Sequence, residues 1–278
     1  MIKNFLTCYL LDEQDNQYKL PVYKDVSFVQ VYSDIQIKQK TLHNPTHYFN
    51  ETKTTALNTG NFSFTLPLLD SAGFLSLFSV FFGLSSYTLY LKDEDDNVKE
   101  FKTCVTESLM FNTQKDQVLT ATIRGSYSSE DTVSSIPGVP IVPSSLYTYI
   151  EGIEILIDSI PVQSINSFSI ELANEVSWVD NNYLAVETPI PPTRFYIKGR
   201  QITGTITENS GINSPSYSDS SSLQIRIKAR NQILLTLDFS SIGVSTRQEL
   251  ASIIKKGFDF TVNSNSNNYV YYKGVNIL

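Results

Sequence analysis

The feature that most limits the fold of this 278-residue chain is an alternation of apolar and polar side chains that recurs along its length. In residues 61–66, for example, two phenylalanines and a leucine alternate with Asn, Ser and Thr. A period of two is typical of a strand with one buried face, because successive side chains of a strand point to opposite sides. Val, Ile, Thr, Tyr and Phe are abundant and Ala is scarce, which also favours strands. The sequence therefore predicts a mainly β protein, with further alternating segments at residues 28–32, 87–91, 119–123, 153–157, 167–172, 223–227 and 258–262.

Two segments depart from this alternation and predict helices. Residues 244–257 combine a capping-box pair, Thr246 and Glu249, with apolar residues spaced for one helical face and a terminal Gly257. Residues 70–82 are apolar on nearly every side, so a helix there would be buried against the sheet or against a neighbour. We therefore expect one flanking helix for each half of the chain.

A Pro-rich segment divides the chain into those halves. Residues 134–145 contain three prolines and a glycine, which favours an extended linker over regular structure. We place a first β domain at residues 1–133 and a second at residues 146–278. Both present the same succession of segments, as a diverged duplication with loop insertions would, although chance similarity among β-rich segments is the alternative. The matched segments are 33–37 with 166–170, 59–64 with 203–207, 87–92 with 223–228, 98–105 with 232–239, and 118–124 with 258–262.

Charge and cysteine content exclude several functional classes. The formal net charge is −7, with 21 basic and 28 acidic side chains, which argues against tight binding to a nucleic-acid backbone. Cys8 and Cys104 lie far apart, so neither a zinc site nor a disulfide framework is expected. No apolar run reaches the length of a membrane span, and residues 1–11 are interpreted as a first strand instead of a signal peptide. We expect a protein that is intracellular where it is made and that has no membrane partner.

No group of residues predicts a cofactor, a metal ion or an active site. His43 and His47 have the spacing of a metal pair on a helix, but Pro45 lies between them, and we expect solvated loop histidines. The acidic run 93–97 lacks the central glycine of a calcium loop and is interpreted as a solvated hairpin tip. No catalytic motif occurs, so we expect no enzymatic activity, although the paired carboxylates of a glycoside-processing enzyme stay open.

The order of elements in the second half resembles the tail-tube fold of long-tailed bacteriophages. An alternating segment at residues 167–174 precedes a long loop and residues 202–207, which lead into a hairpin, a helix and a closing strand at residues 258–262. The resemblance covers residues 149–262 and, in weaker form, residues 5–126. It implies two tandem tail-tube-like β-sandwich domains, each with a flanking helix.

The resemblance also implies a function, that of a structural virion protein in the phage tail, assembled in the host cytoplasm. Tail tubes have six such domains around a channel, so a chain with two of them would form a trimeric, pseudo-hexameric ring through which genomic DNA passes without specific binding. The acidic balance of the chain agrees with a channel wall that does not retain DNA. Stacked rings, neighbouring baseplate or tube rings, and other tail proteins such as the tape measure would be the partners.

Two long loops, residues 40–58 and 175–198, would be the arms that reach the adjacent ring. The prolines of the second loop would stiffen an extended arm at low entropic cost. The candidate ring-stacking residues are Asn44, Pro45, Tyr48, Trp178, Pro189, Ile190, Pro191 and Pro192.

Two other functions stay open at this point. A baseplate hub or tube-initiating ring protein would have the same duplicated fold but would occur as a single ring at the tail tip. A β-sandwich carbohydrate-binding adhesin would instead use Trp178 and exposed tyrosines to stack on sugars. For Trp178 we favour an anchoring role at the sandwich edge or at a subunit contact.

Overall fold

Antiparallel β-strands account for nearly all of the regular structure in the computed structural model of the chain. It describes residues 5–22, 24–30, 32–41, 44–69, 77, 79–114, 118–142, 151–162, 165–179, 191–209, 221–229, 232–250, 254–263, 268–272 and 275–276. The strands of the first half are β1 (Phe5–Leu11), β2 (Gln17–Leu20), β3 (Lys24–Val29), β4 (Tyr32–Thr41), β5 (Asn44–Leu57), β6 (Gly60–Pro67), β7 (Tyr87–Asp93), β8 (Val98–Gln114), β9 (Thr120–Tyr127) and β10 (Ser129–Val133). Those of the second half are β11 (Gly152–Ile157), β12 (Ile160–Pro161), β13 (Ile165–Val179), β14 (Arg194–Asn209), β15 (Ser221–Ala229), β16 (Gln232–Leu250), β17 (Ile254–Val262), β18 (Asn268–Tyr272) and β19 (Val275–Asn276). The prediction of a mainly β protein is confirmed.

Burial in the strands follows the alternation of the sequence. In β15, Leu223, Ile225 and Ile227 are fully buried, whereas the residues between them are only partly buried. β6 likewise buries Phe62 and Phe64 while the side chains between and before them point away from the core. One face of each strand therefore contributes to the core, as period-two patterning requires.

Two long strands, β8 and β16, each belong to two groups of strands. Val98–Cys104 of β8 pairs with β7 and β10, whereas residues 105–112 pair with β9. Residues 232–239 of β16 pair with β15 and β18, and residues 242–250 pair with β17. A register shift marks the crossing in both strands. Such bulges bend and twist a strand so that it can pass from one sheet to another.

The strand pairings of the first half recur in the second half. β1 pairs with β2 and β7, as β11 pairs with β12 and β15. β6 lies between β3 and β9, as β14 lies between β13 and β17. The registers agree as well, since the buried pair Leu89 and Phe101 corresponds to the buried pair Ile225 and Leu237. Apart from the β4–β5 hairpin, the two halves therefore connect their strands in the same order. The predicted match of residues 33–37 with 166–170 is wrong, because the first segment lies in β4 and the second in β13, whose counterpart is β3.

The halves also share one sheet, because β8 pairs with β13 along the edge opposite β9. This pairing creates a run of eight strands, which we call the central sheet, in the order β3–β6–β9–β8–β13–β14–β17–β16. Outer layers cover it, formed by β2–β1–β7–β8–β10 in the first half and by β12–β11–β15–β16–β18–β19 in the second half. β8 and β16 are common to the central sheet and the outer layers.

The core lies between the central sheet and the outer layers. In the first half, the rings of Phe28 on β3 and Phe101 on β8 have centroids 4.1 Å apart. In the second half, Phe239 on β16 and Phe260 on β17 lie 6.5 Å apart. Full burial of such a ring stabilises the folded state by roughly 1.5–3 kcal/mol. Buried residues of both halves form one continuous apolar cluster.

The predicted helix at residues 244–257 is wrong. The end of β16 forms a hairpin with β17, in which Arg247 lies opposite Gly257 and Leu250 opposite Ile254. Residues 242–250 alternate apolar and polar positions apart from Thr246 and Gln248, and the segment is rich in β-branched residues, so it also suits a strand. β17 is held on its other edge by β14, and this tertiary pairing overrides the local helix signals.

The second predicted helix, at residues 70–82, is described only in part. Leu77 and residues 79–82 are helical, and the Gly83 N–H donates a hydrogen bond of 3.0 Å to the Ser79 carbonyl. Phe81 is buried and contacts Phe64 with ring centroids 5.9 Å apart. Residues 70–76 and 78 lie outside the described residues. Among the described residues, no helix is long and apolar enough to cross a membrane.

The Pro-rich segment 134–145 packs along the outer layer of the first half. The Ile141 N–H donates to the Gln17 carbonyl at 2.7 Å, and the Lys19 N–H donates to the Ile141 carbonyl at 3.0 Å. Residues 134–142 thus run beside β2 and pair with its outer edge through one isolated parallel bridge. Residues 143–145 lie outside the described residues.

Candidate functional site

The junction between β8 and β13 is where the two halves meet. The strands pair in an unbroken antiparallel register from Ser108 opposite Ala173 to Gln114 opposite Ser167. Phe111 and Ile170, which face each other in this register, are both fully buried. Backbone pairing and core packing therefore both cross from one half to the other.

A chain of polar contacts, which we call the junction clamp, reinforces this pairing. The side-chain amide of Asn174 donates to the Thr106 carbonyl at 2.9 Å, and its Oδ1 accepts from Nε of Arg200 at 2.8 Å. Nη2 of Arg200 donates to the Phe82 carbonyl at 2.7 Å. Because Phe82 ends the described helical residues, the guanidinium lies at the negative end of a helix, where cations are favoured. Partial burial lowers the pKa of Arg200 from its usual value.

Trp178 is a contact between the halves. Its Nε1–H donates to the Ser126 hydroxyl at 2.9 Å, and that hydroxyl donates to the Glu107 carboxylate. The indole also contacts the Phe195 ring, with centroids 5.6 Å apart. The side chain is half-buried, and its polar atom binds the first half of the chain, so it does not present a free platform for a sugar.

The predicted loop at residues 40–58 is wrong for most of its length. It consists of the end of β4 and the whole of β5, which pair from Tyr32 opposite Leu57 to Thr41 opposite Asn44. Asn44, Pro45 and Tyr48, the proposed stacking residues, lie on β5, as does His47; His43 lies outside the described residues. Within the described part of the chain, this hairpin pairs with no other strand. Repeated threonines, which favour extended backbone, suit it to a strand.

The predicted loop at residues 175–198 is also shorter than expected. Residues 175–179 continue β13 and residues 194–198 begin β14, and the two stretches pair with each other. Pro192 is buried, and Pro191 lines a cavity of about 340 Å³ together with Gln30 and residues 128–132. Pro189 and Ile190 lie outside the described residues. The structure therefore brings Trp178 and Pro191 to one corner, beside the end of β9 and β10.

β3 and the last part of β16 are the two ends of the central sheet. Among the described residues, β3 pairs only with β6, and residues 243–250 of β16 pair only with β17. A strand edge without a neighbour presents N–H and C=O groups that can bind another strand. β3 also exposes two valines, Val26 at 41% and Val29 at 52%. Both ends are candidates for pairing with another chain.

The described residues contain no group of three His, Cys, Asp or Glu side chains placed to hold a metal ion. The acidic run 93–97 forms the turn between β7 and β8, where buried Asp93 accepts hydrogen bonds from the backbone N–H groups of Asp95 and Asn97. Cys8 and Cys104 are buried free thiols, and burial raises the pKa of Cys8 to about 12. A thiol with so high a pKa is a poor nucleophile.

Sequence reasoning missed the junction and its clamp. The matched segments end at residue 105 and resume at residue 118, yet β8 continues as a strand to Gln114. Leu109 and Phe111, flanked by the polar Ser108 and Asn112, were a partial signal for that strand, which Met110 interrupts. No local pattern identifies β13 as its partner, because pairing between distant strands leaves no short-range signature.

Comparison with known proteins identifies a family. The family model described as "Bacteriophage Baseplate Tube Protein Family" matches residues 84–276, which include the junction and all strands of the second half. A comparison with curated proteins finds no match.

Proposed function

Because the chain belongs to the bacteriophage baseplate tube protein family, we propose that three copies join head to tail into a ring of the phage tail tube. Family membership implies a structural, non-enzymatic role in the virion tail or baseplate, in contact with other tail proteins. The proposed ring is assembled in the host cytoplasm and encloses a channel through which genomic DNA passes without specific binding. In it, residues 1–133 and 146–278 act as two equivalent domains.

The observation that carries the proposal is the pairing of β8 with β13. β16 is the counterpart of β8, because β16 pairs with β17 as β8 pairs with β9. β3 is the counterpart of β13, because β3 pairs with β6 as β13 pairs with β14. The junction inside the chain therefore has a counterpart in the proposed ring, which is the pairing of β16 in one copy with β3 in the next. Such a head-to-tail contact makes a closed ring when its rotation closes.

Closure also gives each of these edges a neighbouring strand. Each copy offers one β3 edge and one β16 edge, so every ring contact consumes one edge of each kind. With the six domains around the channel that the tail-tube resemblance implies, three chains complete the circle. The exposed Val26 on β3 would then become covered.

The intrachain register predicts which residues meet between copies. Leu109 lies opposite Leu172 at the junction. The strand registers of the two halves make Val244 on β16 the counterpart of Leu109. They make Phe28 on β3 the counterpart of Leu172. Placing those two residues opposite each other sets Ser27 of one copy opposite Ser245 of the next.

Disulfide cross-linking tests this register. The double variant Ser27→Cys with Ser245→Cys is oxidised and analysed on a non-reducing gel, and the buried native thiols give little background. We expect covalent dimers and trimers, with the trimer as the upper limit. The matched control pairs Ser27→Cys with Ser240→Cys, another exposed serine of β16, and should stay monomeric. Absence of the trimer, or equal cross-linking in the control, would refute the proposed contact.

A baseplate hub or tube-initiating ring is the second candidate, and the description of the matching family as a baseplate tube favours it. It uses the same ring but does not stack into a long tube. Copy number per virion distinguishes the two functions: many rings indicate the tube, and one ring at the tail tip indicates the hub.

A further inference from the structure

The central sheet has a second face with an unusual composition. Its first face carries the core residues, such as Phe64, Ile123 and Ile206, which the outer layers cover. The second face consists of the alternate residues on the same strands, some of them exposed, such as Asn112 and Thr261, and others buried, such as Thr65 and Ser108. In register across the sheet, these are dominated by hydroxyl side chains, namely Ser27, Ser63, Thr65, Thr120, Thr122, Ser108, Ser167, Ser169, Thr203, Thr205, Thr207, Thr261 and Ser245.

The charged residues in these rows balance one another. Ser108 donates to the Glu171 carboxylate, and Thr205 donates to Asp259 at 2.7 Å. Arg124 is exposed and lies between Ser63 and Ser108 in register. By register the rows also include Arg247, Glu249 and Lys255, so three basic residues match three acidic ones. Hydroxyl groups also pair with each other, as in the 3.1 Å contact between Thr65 and Thr122.

The outward side of the outer layers has the opposite character. Lys99 pairs there with Glu130, and Lys102 with Asp131 at 2.6 Å. In the second half, Glu154 lies 3.4 Å from Arg226 and 3.3 Å from Lys228. Since the core separates the two surfaces, the chain has one side rich in ion pairs and another rich in hydroxyl groups.

We propose that the hydroxyl face is the wall of the channel and that this wall is close to neutral, not acidic. The inference rests on the proposed ring. When the central sheet closes, one of its faces must line the channel, and the outer layers already occupy the other face. The net charge of −7 is then carried mainly by the remaining surface.

The chemistry of this wall suits passage of a polyanion. Short hydroxyl side chains hold water but provide no cations, so phosphate groups gain no counterion release by approaching them. Nor do they offer apolar area to which an unfolded polypeptide could bind. Both DNA and an extended protein chain could therefore slide past the same surface.

Thiol accessibility in the assembled ring tests the assignment. Asn112→Cys and Thr261→Cys place exposed thiols on the hydroxyl face, and Asp131→Cys places one on the outer layer as the control. Each variant reacts, before and after assembly, with a small maleimide and with a maleimide-bearing dextran too large for a channel. We expect assembly to abolish the dextran reaction at the two hydroxyl-face positions, to leave their reaction with the small reagent, and to leave Asp131→Cys unchanged with both.

Two results would overturn the inference, and they differ in meaning. If rings form but dextran still labels Asn112→Cys and Thr261→Cys, the hydroxyl face lies outside the channel. The proposal of a ring is then kept, and only the assignment of its channel wall is rejected. If electron microscopy shows that no ring forms under any assembly condition, the proposed function fails as well.

Discussion

Replacing Arg200 with Met should weaken the contact between the two halves while leaving each half folded. Methionine keeps the apolar stem of the side chain and removes the guanidinium. Two hydrogen bonds are lost, to the Phe82 carbonyl at 2.7 Å and to the Asn174 side chain at 2.8 Å. Hydrogen bonds to charged groups contribute roughly 1.5–3 kcal/mol each, and partial exposure of Arg200 favours the lower end. We expect the free energy of unfolding to fall by about 3 kcal/mol.

Urea unfolding followed by tryptophan fluorescence measures this loss. Trp178 is the single tryptophan of the chain, and its hydrogen bond to Ser126 makes it a reporter of the contact between the halves. Asn174→Ala, alone and combined with Arg200→Met, completes a double-mutant cycle. We expect a coupling free energy of about 1 kcal/mol between Arg200 and Asn174.

Arg226→Met is the matched control. Nη1 of Arg226 lies 3.4 Å from the Glu154 carboxylate in a solvated ion pair, so its loss should cost less than about 1 kcal/mol. The reasoning is refuted if Arg200→Met costs no more than this control, or if its effect adds independently to that of Asn174→Ala.

Three further substitutions test other parts of the structure. Gly204→Ala should destabilise the chain by roughly 1–3 kcal/mol in thermal melting, because a Cβ there would lie 2.4 Å from the Phe260 ring and 2.7 Å from the Ser169 carbonyl; an unchanged melting temperature would contradict the close packing of β14 on β17. Thr103→Gly should raise stability by up to about 1 kcal/mol in urea unfolding, because Thr103 holds a left-handed φ of 52° that costs a β-branched residue energy; a loss of stability would show that no strain is relieved. Ile190→Asp should block ring stacking in electron micrographs while circular dichroism stays unchanged, and normal stacks would reject the role of this arm.

The β architecture could be predicted because its signal is local. Period-two alternation identified segments such as residues 61–66, 87–91 and 223–227, all of which are strands. The match of residues 87–92 with 223–228, predicted from the sequence, is confirmed, because the two segments pair with equivalent strands in the structure.

The rest depends on contacts that local patterns do not encode. Residues 242–250 carry both helix signals and partial alternation, and only the pairing with β17 decides between them. The threonine-rich segment 44–57 has polar residues on both faces, so its sequence suits a loop as well as a two-stranded ribbon. The hydrogen bond of the junction clamp between Arg200 and Phe82 joins residues 118 positions apart, and no local sequence pattern near either residue predicts it.

Cryo-electron microscopy of the assembled protein tests the central claim most directly, because end views at strand resolution reveal which edges meet between chains. The account predicts three chains around an open channel, with β16 of each chain paired to β3 of the next in the same geometry that joins β8 to β13. A particle in which β3 and β16 stay solvated, or in which the chains meet through the outer layers, would contradict it.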